Sequence, residues 1–363
     1  MSEGENMIIY LIPLGFLLVA SLFELCHIRL KVRQRKICYF LIVVYLILVA
    51  GLRYGLETDY WHYYQVFNGT IKVSSLEFGF KFFNSIIHAI TNNYGVYCLL
   101  VSVLSIGLKC KFFAKIKYPF VVLACYYLRF YVLFELNAIR QGLAMTFVII
   151  GIYYLMQENK KMYFFFIVIA TLFHTAALCG LLAIISKNRK FELKNIVLIY
   201  ACCIIFRLVF FDTVIASFSP YISYVLNSSN NLIHGMQYVI NSGDKMQEMN
   251  YFSLARVVIS GICLYFISDC QDKKMYYNMY FFGSILNLVF WGLDTIAFRI
   301  PAVFYIFEGY ILNDSLMKHK LFGKRDILFT ICFFCIAVCD IWTFVSYLLE
   351  STSLIPYRTI IGI

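Results

Sequence analysis

Apolar runs of about 20 residues return along the whole chain, and nothing else in the sequence limits its fold as strongly. A run of that length crosses a hydrocarbon core about 30 Å thick as a helix. Lipid offers no partner to backbone N–H and C=O groups, so the segment must satisfy them itself. Composition agrees: 62% of residues are hydrophobic and 14% charged, against roughly 25% charged in soluble domains. No polar stretch exceeds about 40 residues, too few for a separate soluble domain. The expected architecture is an all-α polytopic membrane protein, with one integral membrane domain over residues 1–363. The opening MSEGEN lacks the basic region of a cleavable signal peptide, and no small-residue cleavage site follows the first apolar run.

The net charge of +11 would suggest nucleic acid as partner in a soluble protein. In a membrane protein, basic residues mark cytoplasmic loops, so the partner implied is the lipid bilayer and no nucleic acid is expected. Six basic clusters set the threading: 27–36, 109–117, 157–161, 187–194, 269–274 and 318–326. Placed inside, they hold 21 of the 31 Lys and Arg residues. About ten long spans follow, near 7–26, 37–52, 94–112, 118–135, 138–156, 195–211, 251–268, 276–293, 295–312 and 327–347, with both termini outside. Residues 162–186 lie between two basic loops and are too short for two crossings, which need about 40 residues. A re-entrant or broken hairpin is expected there, its tip near Phe173-His174-Thr175, lining a cavity that opens outward. The outer (periplasmic) side also receives a long loop near 212–250, in which Ser219-Pro220 reads as a helix start. The 13 cysteines fall in spans, at their ends or in inner loops, and read as small core residues.

Of the ten basic residues left outside or near the outer face, seven are Arg: Arg53, Arg129, Arg140, Arg207, Arg256, Arg299 and Arg358. Lysine suffices for anchoring; arginine adds a planar, permanently charged fork suited to phosphate and carboxylate. The structural alternative is interhelical pairing with Glu57, Asp59, Glu77, Glu135 or Asp294. In LFELNAIRQGLA (133–144), Asn137 reads as the N-cap of a helix from Ala138, with Arg140 in its first turn. The open N–H groups and the positive dipole end would join the guanidinium in an anion site. A pair of Arg140 with Glu135 or Glu77 is the plainer reading.

GLRYGLETDYWHYY (51–64) brings Arg53, Glu57 and Asp59 together with Tyr54, Tyr60, Trp61, Tyr63 and Tyr64. A carboxylate there can serve as a base and the rings can stack on sugar faces, although an interfacial aromatic belt has the same composition. Glu57 with Asp59, or Asp59 with His62, could hold a divalent metal, but two acids are a small donor set and no cofactor is expected. His174 at the hairpin tip is a candidate acid, base or phosphate donor, or a buried structural histidine. Glu308 and Asp340 lie within spans, where interhelical hydrogen bonding is favoured over a proton relay.

Taken in order, these pieces are Arg53 with Asp59 and Tyr63, then Glu77-Phe-Gly-Phe, then Asn137-x-x-Arg140-Gln141 with Ala144. Phe173-His174-x-x-Ala177 follows, then Arg299 with Tyr305, and a closing Pro356-Tyr357-Arg358. From about residue 50 to the C-terminus the chain thereby resembles the EpsG-like branch of the Wzy-type polysaccharide polymerases. The 212–250 loop has no counterpart in that pattern and is where acceptor specificity is expected.

The resemblance implies an integral-membrane glycosyltransferase of the GT-C kind in the bacterial inner membrane, with its active site facing the periplasm. It would join undecaprenyl-pyrophosphate-linked oligosaccharide repeat units in O-antigen, capsule or exopolysaccharide biosynthesis, beside a chain-length regulator and a flippase. In that reading Asp59, His174 and Glu77 are the catalytic candidates, with Asp59 first. Arg140, Arg299, Arg53 and Arg358 bind pyrophosphate, and Asn137, Gln141, Tyr63 and Tyr60 bind substrate. An O-antigen ligase would use the same donor. A flippase should show inverted repeats, and none is found. A membrane O-acyltransferase should show a catalytic His-Asp pair at a span end, and this too is missing.

Overall fold

The computed structural model describes residues 3–28, 31–57, 59–71, 76–186, 191–211, 213–214, 217, 251–268, 275–291, 294–319, 321, 326–351 and 353–360. Most of the 212–250 loop, including Ser219-Pro220, lies outside the described residues. Among those described, the chain is helical throughout, apart from turns and one isolated bridge between Arg53 and Thr359.

The helices run α1 Glu3–Leu25, α2 Val32–Gly51, α3 Asp59–Phe67 and α4 Phe78–Ile90. Then come α5 Tyr94–Phe113, α6 Pro119–Asn137 and α7 Ile139–Met156. A pair follows, α8 Lys160–Phe173 and α9 Thr175–Ser186, and after it α10 Leu193–Phe210 and α11 Tyr251–Ser268. The chain ends with α12 Met275–Val289, α13 Asp294–Tyr305, α14 Glu308–Leu316 and α15 Ile327–Glu350.

Among the described residues, eight helices are long and apolar enough to cross a membrane: Met7–Leu25 within α1, then α2, α5, α6, α7, α10, α11 and α15. The two further spans expected near 276–293 and 295–312 are shorter pieces. The second breaks between Tyr305 and Glu308, and Pro301 inside α13 removes one ladder hydrogen bond. The segment 162–186 is a broken hairpin, as its length required. His174 leaves the helix with φ −157° and ψ 125°. The two arms then run back together: Tyr163 Oη donates to Gly180 O at 2.8 Å. Gly180 admits the contact, since a Cβ there would lie 2.9 Å from Ile167 Cδ1.

α6 widens from α-helix to π-helix at Tyr127 and stays so to Asn137. The i→i+5 bonding brings residues four apart nearly into register, and rings stack accordingly. Tyr127 meets Tyr131 at 5.1 Å and 28°, and Phe130 meets Phe134 at 5.7 Å and 8°. A second π turn, Val103–Gly107, interrupts α5. Such turns concentrate near functional sites.

Helix α1, the end of α2 and the segment after α15 meet at one end of the bundle. Tyr10 Oη donates to Leu354 O at 3.1 Å, and segment 357–360 pairs with the end of α2 through Tyr54 N to Arg358 O at 2.8 Å and Ile360 N to Leu52 O at 3.0 Å. At the other end Glu24 Oε2 accepts from Phe120 N and Val121 N at 3.0 and 3.2 Å, capping α6, and Asn313 Oδ1 accepts from Tyr118 N at 3.0 Å. The twelve described cysteines are free.

Candidate active site at the start of α7

The first turn of α7 carries no side-chain cap. Its N-cap residue is Ala138, with φ −81° and ψ 62°, not Asn137 as its sequence position suggested. Asn137 Oδ1 instead accepts from Asp59 N at 3.3 Å. The asparagine thus holds the start of α3 against the start of α7 and leaves the positive end of α7 open.

Arg140 sits in that turn. Its Nη1 lies 2.5 Å from Glu77 Oε2, and its Nε is 3.4 Å from Tyr63 Oη. The rings of Tyr63 and Phe80 lie 6.0 and 5.9 Å from the guanidinium carbon. The plainer expectation for Arg140, pairing with Glu77, is therefore met. The pair is not sealed, because the two side chains keep 19% and 12% exposure.

Glu77 precedes α4 and its other oxygen, Oε1, accepts from Thr175 N at 3.3 Å. One carboxylate therefore ties α4, α7 and the hairpin break together. Gly79 makes the approach possible: a Cβ there would stand 2.7 Å from both Leu172 Cβ and Leu172 O.

At the break, His174 Nδ1 accepts from Ala176 N at 3.2 Å. A nitrogen that accepts carries no proton, so the neutral ring keeps its hydrogen on Nε2 and can donate there. Arg299 lies within electrostatic reach of both His174 and Tyr63. It is placed by α13, whose Arg299 carbonyl accepts a hydrogen bond from Gln141 Nε2. Gln141 is buried, and its Oε1 has no partner among the described residues. Asp59, the first residue of α3, is within electrostatic reach of Tyr63 and Tyr347. Among the described residues its carboxylate accepts no hydrogen bond and joins no ion pair.

The structure therefore gathers Asp59, Tyr63, Glu77, Asn137, Arg140, Gln141, His174 and Arg299 from five stretches of chain. Three other candidates are not gathered. Arg53 is buried, donates to Ala50 O, and faces Cys98, Tyr94 and Tyr60. Tyr60 is buried in an aromatic cluster, 5.2 Å from both Trp61 and Tyr94. Arg358 is exposed, and its carbonyl is the group engaged, with Tyr54 N. Glu57 adopts φ +64° and spends its carboxylate on Tyr347 Oη and Ser351 Oγ at 3.2 and 3.0 Å.

Three more of the outer arginines are committed between helices. Arg129 pairs with Glu308 and lies 3.6 Å from Asp340, so those two acids take the interhelical role favoured for them. Arg207 donates to Trp291 O, and Arg256 Nη1 reaches Thr343 Oγ1 at 2.6 Å. Sequence reasoning puts Glu77 near a helix start, which the structure bears out, but it did not assign α4 as an element and missed the backbone donors of Thr175 and Ala176. The spacing of Phe78, Phe82, Ile86 and Ile90 was the available signal for α4: all four are exposed on one helical face.

No curated protein and no solved structure matches the chain. The family model of the EpsG family matches residues 36–359, from within α2 to the C-terminal segment beside Arg53. The match takes in all eight gathered residues, and the chain belongs to the EpsG family, whose role is polysaccharide polymerase-like.

Proposed function

We propose that this chain is a GT-C-type glycosyltransferase that polymerises undecaprenyl-pyrophosphate-linked oligosaccharide repeat units on the periplasmic face of the bacterial inner membrane. The observation that carries the reading is the convergence of Arg140, Arg299 and the Nε2–H of His174 at the hairpin break, with the unengaged carboxylate of Asp59 nearby at the start of α3, within electrostatic reach of Tyr63.

In this reading the donor sugar's C1–O bond to pyrophosphate breaks as an acceptor hydroxyl attacks C1. Charge grows on the leaving pyrophosphate, and fixed cations aimed at it lower the barrier without reorganising. Arg140 and Arg299 supply those cations and His174 adds a hydrogen bond. Asp59 takes the acceptor's proton. Glu77 is already engaged with Arg140 and Thr175 N, so its part is to aim the guanidinium. Gln141 Oε1 and Tyr63 are left to orient a sugar hydroxyl. A flippase delivers the lipid-linked units and a chain-length regulator limits the product.

Gene deletion followed by gel analysis of surface polysaccharide tests the reading. The expected product is surface lipid carrying a single repeat unit. Loss of all capped lipid would point instead to a ligase, and failure of export to a flippase.

A further inference from the structure

At the opposite end of α2 from the arginine cluster, a groove of about 430 Å³ opens between α2, α5 and the start of α6. That volume is in the range of ligand sites, about 300–1,000 Å³. Its walls are apolar, with Tyr39, Val43, Ile47 and Gly107 among them. Its rim carries three cations, Arg35, Lys36 and Lys111, all exposed. No carboxylate lines it.

Two local features keep the groove open. Tyr39 is drawn to one wall, where its Oη donates to Cys110 O at 2.9 Å. Gly107, the last residue of the π turn in α5, contributes no side chain. A Cβ there would meet only Ile47 Cδ1, at 3.9 Å. The helices are therefore not separated by a clash; a side chain that would fill the gap is missing.

We propose that this groove binds an anionic glycerophospholipid of the bilayer, one acyl chain along the apolar wall and the headgroup phosphate at Arg35, Lys36 and Lys111. Charge complementarity selects the occupant. Each basic residue near a membrane surface favours an anionic headgroup by a factor of several, and an uncharged or zwitterionic lipid leaves the net positive charge of the rim unmatched. Glu24 lies within electrostatic reach of Arg35 but outside the groove's lining, where its Oε2 accepts from Phe120 N and Val121 N. The exposure of the cations fits a headgroup that stays at the water interface, unlike a phosphate sealed inside the protein. The lipid would rest against the outer side of the π turn whose buried Ser105 accepts from Lys109 Nζ at 2.6 Å. The site is independent of the arginine cluster and of the reaction proposed there.

Native mass spectrometry on the purified full-length protein tests this, with four probes: phosphatidylglycerol, phosphatidylcholine with the same chains, undecaprenyl phosphate and inorganic phosphate. Phosphatidylglycerol should be retained in preference to phosphatidylcholine, and inorganic phosphate should not displace it. Gly107→Leu should fill the groove and weaken phosphatidylglycerol binding about tenfold or more without lowering the melting temperature. The triple variant Arg35→Gln, Lys36→Gln, Lys111→Gln should weaken it by about a hundredfold. Equal retention of the two phospholipids, or undiminished binding to Gly107→Leu, overturns the proposal. So does displacement by undecaprenyl phosphate at lower concentration than phosphatidylglycerol itself requires, which would make the site one for the carrier lipid.

Discussion

Arg140 is the residue on which the candidate site turns, because it joins α7 to Glu77 at the start of α4 and to the aromatic wall of α3. Lysine in its place would keep the charge and an ion pair with Glu77 but lose the planar fork. We therefore expect Arg140→Lys to polymerise lipid-linked repeat units nearly as slowly as Arg140→Ala. The loss should be of the order of 10²–10³ in rate, the scale of one misplaced charge-stabilising group. Recovery of most of the activity by lysine would mean that the site needs only a charge. Asp59 makes a separate prediction. Asn is isosteric and leaves the backbone bond from Asp59 N to Asn137 in place. Asp59→Asn should then express and bind lipid-linked donor normally while turning over about 10²–10⁴ times more slowly. Near wild-type turnover in an assay limited by chemistry would remove Asp59 from the proton transfer.

At the scale of elements, the broken hairpin α8–α9 decides where the donors of Thr175 and Ala176 stand, and α4 decides where Glu77 stands. The two are locked at Gly79 over Leu172. Gly79→Val must push α4 away from α8, at about 1–3 kcal/mol. Thermal unfolding in detergent should show the lowered stability, and polymerisation should fall with it as Glu77 leaves Arg140. A stable Gly79→Val protein with full activity would show that the contact is dispensable. The hairpin also fixes the count of crossings. Cysteine-accessibility labels at Lys161 and Lys194 should report one side of the membrane, and labels at Asn68 and Ser351 the other. Labels on opposite sides at Lys161 and Lys194 would turn the hairpin into a crossing.

Across the whole molecule, the interior holds charge as well as apolar surface. Lys109 and Glu135 meet at 2.7 Å, with 1% and 3% of their side chains exposed. Ser105 and Tyr126 complete the network. Removing one partner leaves a buried charge uncompensated, at about 3–5 kcal/mol. Glu135→Gln or Lys109→Met alone should therefore destabilise strongly. The double variant Lys109→Met, Glu135→Leu should recover much of the loss, because the desolvation penalty disappears with both charges. Thermal unfolding of the three variants checks this; a double variant no better than either single one would assign the network to shape and not to charge. The network touches the site: a Cβ on Gly142 in α7 would lie 3.2 Å from Glu135 Oε1.

Eight of the ten expected spans, the end of the bundle that collects the arginines and the break at His174 were legible along the chain. They follow from hydropathy, charge and segment length, which are local quantities set by the bilayer's thickness and its refusal of unpaired backbone. The partners were not legible. Arg53 and Arg140 look alike in sequence, each at a span end beside aromatics and acids. Arg53 closes into a buried nook against Ala50, whereas Arg140 finds Glu77 63 positions away and stays reachable. Lys109 reads as one more inner-loop anchor until α5 and α6 pack and bury it against Glu135. Of α4 only the start near Glu77 was legible, because 13 residues with one apolar and one packed face fall short of a span. Its role depends on Leu172, a residue no periodicity connects to it. By itself the sequence determined that the chain is a helical membrane protein with repeated spans, and which residue types gather at each end. Which arginine remains open to a ligand was decided only by tertiary packing, since desolvation and pairing depend on neighbours brought from distant parts of the chain.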